Sequence, residues 1–200
     1  MEEEDSDANP PAHVLIQDEE DDNKLIGLMG EINEEITKEV IGCLLNLNGN
    51  QILPTSEEEL KETSDIEMVI SSGGGDVHNM FAIYDVMKIV EKNTNIVTIG
   101  LGHVSSAAVL LLAAGTKGSR YITKNTRVML HNCSHHYGGT TPAIISSSKE
   151  LEKIQNMMIQ RLAENSKLSV GEIYNIFSRN IDEYFSAEEA LEMGLVDKII

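Results

Sequence analysis

The chain has 200 residues, 41% of them hydrophobic, which suits one domain with a sizeable core or one domain with an appendage. It carries 33 acidic against 15 basic residues, a formal net charge of −18, and so offers no basic footprint to nucleic acid or an anionic membrane. The longest apolar run, residues 107–114, spans eight residues, far short of the ~20 that cross a bilayer.

Ten carboxylates fall within the first 22 residues, and this self-repelling stretch predicts an acidic disordered tail over 1–23. A docking arm for a basic partner is the functional alternative for it. It lacks the basic and apolar regions of a signal peptide, so a soluble, cytoplasmic chain is expected. KLIGLMG (24–30) reads as a strand closed by Gly30, and EINEEITKEVIGCLLNL (31–47) as a helix. Residues 50–64, with Pro54 and many charges, read as a surface insertion. IEMVIS (66–71) is a strand running into SSGGGD, and a helix with Met80, Ile83, Tyr84 and Met87 on one face follows. NIVTIG (95–100) is a second buried strand, and GHVSSAAVLLLAAG (102–115) begins the next helix. SRYITKN, RVMLHN and a glycine- and serine-containing loop lead to a long helix from about Pro142 to Asn165. Two more helices follow, one capped by Ser169 and one opened by a Ser186–Glu189 capping box and closed at Gly194. Strand, crossover helix and strand recur, the signature of an α/β unit with a parallel sheet of five or six strands.

Three segments carry possible chemistry. The glycines at 73–75 lack the ending and spacing of a phosphate loop. They are either a tight turn or a backbone whose bare N–H groups can face a developing oxyanion. Asp76 beside them disfavours a phosphate and favours basic or apolar substrate groups. Ser105 and Ser106 stand at the mouth of the apolar run, either as helix-capping hydroxyls or as a nucleophile, which requires a base and an orienter. Of six histidines (13, 78, 103, 131, 135 and 136), His13 lies in the tail, His78 follows the glycines, and His135 and His136 sit in a loop. His131 ends a strand-like segment. Neighbouring parallel strands deliver their C-terminal ends to one crevice, which brings the glycines, a serine and His131 to one rim. Pattern alone leaves Ser105 and Ser106 open, and the orienter open among Asp76, Asp85 and Asp182. Each of these residues taken singly is more commonly structural. Cys43 and Cys133 form no metal or disulfide framework and read as free buried thiols. Cys133 lies two residues from His131, on the same side of an extended segment, which leaves a weak cysteine alternative. No metal site is expected from His135 and His136, and no cofactor is expected.

The ordered segments LIGLMGEI, ISSGGGDVHNMFAIYDVM, GHVSSAAVLLLAAGTKGSRY, NTRVMLH and DEYFSAEEALEMGLVDKII resemble, from about Leu25 to Ile200, the proteolytic subunit of the Clp protease. The resemblance implies the Clp protease/crotonase-like superhelix of repeated β-β-α units over 24–200, with a protruding handle near 132–165. It implies a self-compartmentalising serine endopeptidase acting on unfolded or small polypeptides, with an ATP-independent peptidase core. It places the nucleophile on Ser106, the base on His131, 25 residues on without a gap, and the acid on Asp182. The oxyanion hole falls on the N–H groups of Gly74 and Ala107. It also implies a homo-oligomer, a heptameric ring or stacked rings, with an ATP-dependent unfoldase as a partner left open.

The chain departs from the family pattern at several points. Gly73 replaces proline, Asp76 replaces serine, Ala107 replaces methionine, and Asn132 and Cys133 replace Gln-Pro. The handle loop SHHYGGTTP is largely changed, and His131 to Asp182 is two residues longer than usual. The pore loop and leading helix have no counterpart, and the acidic tail stands in their place. Leu151, Ile154, Met158 and Leu162 keep an apolar face on the handle helix. Such departures fit a viral copy, which would act in the host cytoplasm on capsid or scaffold proteins. Two rivals are a non-catalytic ring or assembly subunit, separated by whether the serine reacts, and a crotonase-like acyl-CoA enzyme. Few basic residues are present for the CoA phosphates, and hydrolysis of a peptide without CoA separates that rival.

Overall fold

The computed structural model describes residues 16–17, 24–49, 64–134 and 138–200. Most of the expected tail (1–15 and 18–23), the insertion at 50–63, His13, His135 and His136 lie outside the described residues. In chain order the elements are β1 (Ile16–Gln17), β2 (Lys24–Ile32), α1 (Glu34–Leu47), β3 (Ile66–Gly75), α2 (Val77–Val90), β4 (Ile96–Ser105) and α3 (Ala107–Ala113). There follow β5 (Arg120–Ile122), β6 (Arg127–Leu130), α4 (Thr141–Asn165), α5 (Val170–Ser178), β7 (Glu183–Phe185), α6 (Ala187–Glu192) and β8 (Lys198–Ile199).

The strands form one sheet in the order β1-β2-β3-β4-β5-β8, and β6 pairs with both β4 and β7. The pairs β2–β3, β3–β4, β4–β5, β4–β6 and β5–β8 are parallel, while β1–β2 and β6–β7 are antiparallel. The α/β architecture with a parallel sheet flanked by helices is therefore as the sequence predicts. The strand number is larger, because β1, β7 and β8 are only two or three residues long and too short to show periodicity. Ile16 and Gln17 pair with Leu25 and Lys24, within a stretch that charge alone marks as unstructured.

Element boundaries differ where the chemistry lies. The first strand does not stop at Gly30. It passes through a bulge there, with Gly30 at φ 83°, and continues through Glu31 and Ile32 before Asn33 caps α1 through Ile36 N–H. β3 absorbs the glycine run instead of turning at it, and β4 runs on to Ser105. Buried Ile66, Met68 and Ile70 from β3 and Met80, Ile83, Met87 and Val90 from α2 contribute to one core. All seven residues of α3 are buried, so the apolar run is a core helix. The long helix buries Ile154, Met158 and Leu162 as its spacing predicts, with Leu151 half-buried.

A cluster that the sequence reading did not single out braces this arrangement. Arg120, 4% exposed, forms an ion pair with Asp197 and donates to the carbonyls of Ala113 and Asn165. It thus ties the ends of α3 and α4 to β5 and the segment before β8. The guanidinium beside Asp197, more than any other cause, holds that carboxyl below its usual range.

Candidate active site

Ser106 occupies a sharp strand-to-helix turn. Its φ of 55° and ψ of −125° lie where a residue with a Cβ is strained, at a cost of about 1–3 kcal/mol. Neighbouring bonds fix the turn: Ser106 N–H donates to Met129 O at 2.8 Å, and Val109 N–H donates to Ser106 O at 3.1 Å. The Ser106 side chain makes no capping bond to α3. Its Oγ lies 2.8 Å from His131 Nε2. Ser105 ends β4 and is 8% exposed, so of the two hydroxyls that of Ser106 is the one presented to the histidine.

Strand register explains how distant residues meet. In the parallel β4–β6 pair Ser105 lies opposite Met129, so Ser106 and His131 emerge from neighbouring strand ends. In the antiparallel β6–β7 pair Leu130 lies opposite Glu183. The next step of that register sets His131 against Asp182, and His131 Nδ1 lies 3.2 Å from Asp182 Oδ1. The structure therefore brings Ser106, His131 and Asp182 into one hydrogen-bonded chain. It does not bring in the other two candidate orienters. Asp76 accepts from Asn79 N–H as the cap of α2, and Asp85 is exposed on that helix. His78 and His103 are exposed and make no described contact with Ser106.

The glycine run lies against this turn. Gly74 has φ 92°, and a Cβ there would come within 2.7 Å of Ser105 O and Ser106 Cβ and 3.1 Å of Ala107 N. Only a residue without a side chain fits so close to the serine. The Gly74 N–H donates to Ser72 Oγ at 3.1 Å, and Ser72 Oγ in turn donates to Gly30 O. Asp76 N–H donates to Ile32 O at 2.8 Å, which places it on the β2 side of the strand.

Around Ser106 opens a cleft of about 520 Å³, lined by Gly30, Glu31, the three glycines, Val77, Ala107, His131, Asn132, Cys133, Ser134 and Met158. Cys43 and Cys133 are free and half-buried, and burial pushes both thiols up. Among the described residues no three His, Cys, Asp or Glu side chains gather as a metal-ligating group. No described helix is long and apolar enough to cross a membrane. Sequence reasoning does not reach Glu31, because Gly30 looks like a strand end, nor Ser72, whose only signal is a serine amid buried β3 residues.

A strained serine at a strand-to-helix turn, bonded to a histidine that is bonded to a carboxylate, is the constellation of serine hydrolases. The family model described as Clp protease matches residues 12–200. The chain is 32% identical over 177 residues to ATP-dependent Clp protease proteolytic subunit 2 of Thermobifida fusca, covering 88% of this chain and 80% of the relative. It is 35% identical over 177 residues to proteolytic subunit 1 of Leifsonia xyli, covering 88% and 83%. Against proteolytic subunit 2 of Bifidobacterium longum it is 35% identical over 150 residues, covering 75% and 70%. The chain belongs to the Clp protease family.

Proposed function

We propose that the chain is a serine endopeptidase that hydrolyses peptide bonds of unfolded or small polypeptides through Ser106, His131 and Asp182. The observation that carries this reading is the continuous chain from Ser106 Oγ to His131 to Asp182, at 2.8 and 3.2 Å, starting from a strained serine. With Nδ1–H donated to Asp182, His131 Nε2 is free to accept the Ser106 proton as Oγ attacks the peptide carbonyl. The imidazolium then passes that proton to the leaving amine, and water attacks the acyl-enzyme with His131 again as base. No step of this chemistry consumes ATP.

The carbonyl oxygen becomes negative in the tetrahedral intermediate and needs donors already in position. Ala107 N–H, next to the nucleophile, supplies one. Gly74 supplies a second only if its bond to Ser72 Oγ opens. We assign the second donor to Gly74, whose backbone abuts Ser106, with that bond opening as the oxyanion forms.

Assembly into a ring that encloses the cleft belongs to the same reading. Ile144, Ile145 and Met157 of α4 and Ile181 and Tyr184 around β7 are large apolar side chains left 42–60% exposed in the single chain. The divided pairing of β4, first with β5 and then with β6, supports the superhelical arrangement of β-β-α units.

The test is a fluorophosphonate probe applied to the purified protein, with the modified peptide mapped by mass spectrometry. Label on Ser106 that is lost in Ser106→Ala and in His131→Ala is the expected result. No label on folded, assembled protein would overturn the reading, and label on Ser105 would displace the nucleophile by one residue.

A further inference from the structure

The cleft has an uneven charge. Among the described residues that line it, Glu31 is the one carboxylate, and none is a lysine or arginine. Cys133 is held protonated by burial, so it adds no charge near neutral pH. Glu31 is exposed, and no described hydrogen bond or ion pair engages it. Nearby acidic groups differ in this respect: Glu34 is paired with Lys38, and Asp76 accepts from Asn79 N–H. Asp76, the residue from which the sequence suggests a charge preference, does not line the cleft. Glu31 does, because β2 continues past the Gly30 bulge and sets Glu31 directly opposite Gly74. Neighbouring strands lie about 4.8 Å apart, and Gly74 abuts Ser106. Glu31 is therefore one strand away from Ser106, at the wall of a cleft whose other described lining residues are glycines, small or apolar residues, His131, Asn132, Cys133 and Ser134.

We propose that Glu31 is a specificity-determining residue that selects substrates with a basic side chain, arginine or lysine, beside the scissile bond. This rests on the peptidase reading above. An unpaired carboxylate at the wall of an open cleft gains a partner when a guanidinium or ammonium enters, with arginine able to engage both oxygens. An acidic side chain at the same position meets like-charge repulsion and is discriminated against. Ala107 beside the nucleophile leaves the cleft with little side-chain obstruction on that wall. The gain is modest because the pair remains hydrated, about 3- to 10-fold in kcat/KM.

The experiment compares fluorogenic peptides that differ only at the residue before the cleaved bond, arginine, lysine, leucine or glutamate, with the full-length assembled protein. Expected is an arginine-to-leucine ratio above one that falls toward one in Glu31→Gln and below one in Glu31→Lys, where the glutamate peptide becomes preferred over the arginine peptide. Glu192→Gln makes the same change in net charge on α6 and should leave the ratio as it was. A ratio that is unaltered in both Glu31 variants, with hydrolysis and Ser106 labelling intact, overturns the inference alone. The same holds if Glu192→Gln shifts the ratio as much as Glu31→Gln, since the overall charge of −18 would then be its source. Absence of both hydrolysis and label overturns the peptidase reading, and the inference with it.

Discussion

The two ends of the hydrogen-bonded chain are built differently. Ser106 stands at the start of a helix whose seven residues are all buried, and its turn is held by Met129 O and pressed by Gly74. Asp182 stands at the mouth of a three-residue strand, with its side chain 52% exposed and flanked by exposed Ile181 and Tyr184. His131 joins them, with its side chain 31% exposed. Ser106 is thus fixed by the core, while Asp182 is held by a short antiparallel ladder at the surface. Strain such as that at Ser106 persists only where the surroundings over-determine it, and a packed interior supplies that constraint. A carboxylate needs no such constraint, but it needs its partner held at bonding distance. Contacts from a neighbouring subunit over Ile181 and Tyr184 would supply what the isolated ladder lacks.

The largest expected effect separates activity from stability at the surface end. Asp182→Asn should lower kcat on the order of 10²–10³-fold by disturbing the imidazole tautomer. The loss should be smaller than at a buried acid, because water competes with the imidazole for the exposed Asp182 carboxylate. The melting temperature should hardly move, since half of the side chain is already solvated. A fall of many degrees would show that the ladder is part of the cooperative core and erase the contrast. At the buried end the two readouts should change together. Gly74→Ala forces a Cβ within 2.7 Å of Ser105 O and Ser106 Cβ at a φ of 92°. About 1–3 kcal/mol of stability and on the order of 10²-fold in kcat should be lost, measured by thermal unfolding and peptide hydrolysis.

The same division explains what the sequence allowed to be read. Long, strongly periodic segments (α2, the handle helix, the buried runs of β3 and β4) declare themselves through one apolar face. The apolar run at 107–114 does so through being apolar all round. Ser106 and His131 could be brought to one rim because parallel strand ends converge. Asp182 could not be chosen over Asp76 and Asp85 from pattern, since the register of a three-residue strand leaves no periodic trace. Only the ordered family motifs favoured it. Glu31 was hidden by a bulge, because Gly30 looks like a strand end when it is a kink within one. Ser72 and Arg120 were hidden for another reason: a buried polar group is recognised by its partners, and those lie far away in sequence.

Arg120 and Asp197 allow the core end to be weakened without touching the chemistry. The Asp197 pKa is lowered from its ordinary 3.8 in the folded chain, chiefly by its hydrogen bonds with Arg120. A carboxyl with a depressed folded pKa adds stability above its unfolded value, and that contribution is lost as pH falls through the folded one. The stability gap between wild type and Asp197→Asn should therefore be full at neutral pH and close below about pH 3.8 in thermal unfolding. A gap that stays constant into acid would mean that packing, and not charge, accounts for the brace.

The smallest expected effect examines what holds the ladder. Ser186 follows β7 directly and accepts from Glu189 N–H to cap α6, while Ser169 accepts from Glu172 N–H to cap α5 by the same capping box. Replacing either serine by alanine should cost about 1 kcal/mol, or 2–4 °C in melting temperature for a chain of this size. The two losses of stability should match, but their effects on catalysis should not. Ser186 sets where β7 ends, four residues from Asp182, whereas the Ser169 cap lies outside the ladder. If the acid is held locally, Ser186→Ala lowers kcat about twofold or more while Ser169→Ala leaves it alone. If both variants keep full activity, β6 alone anchors β7, and the surface end is more firmly built than its exposure implies.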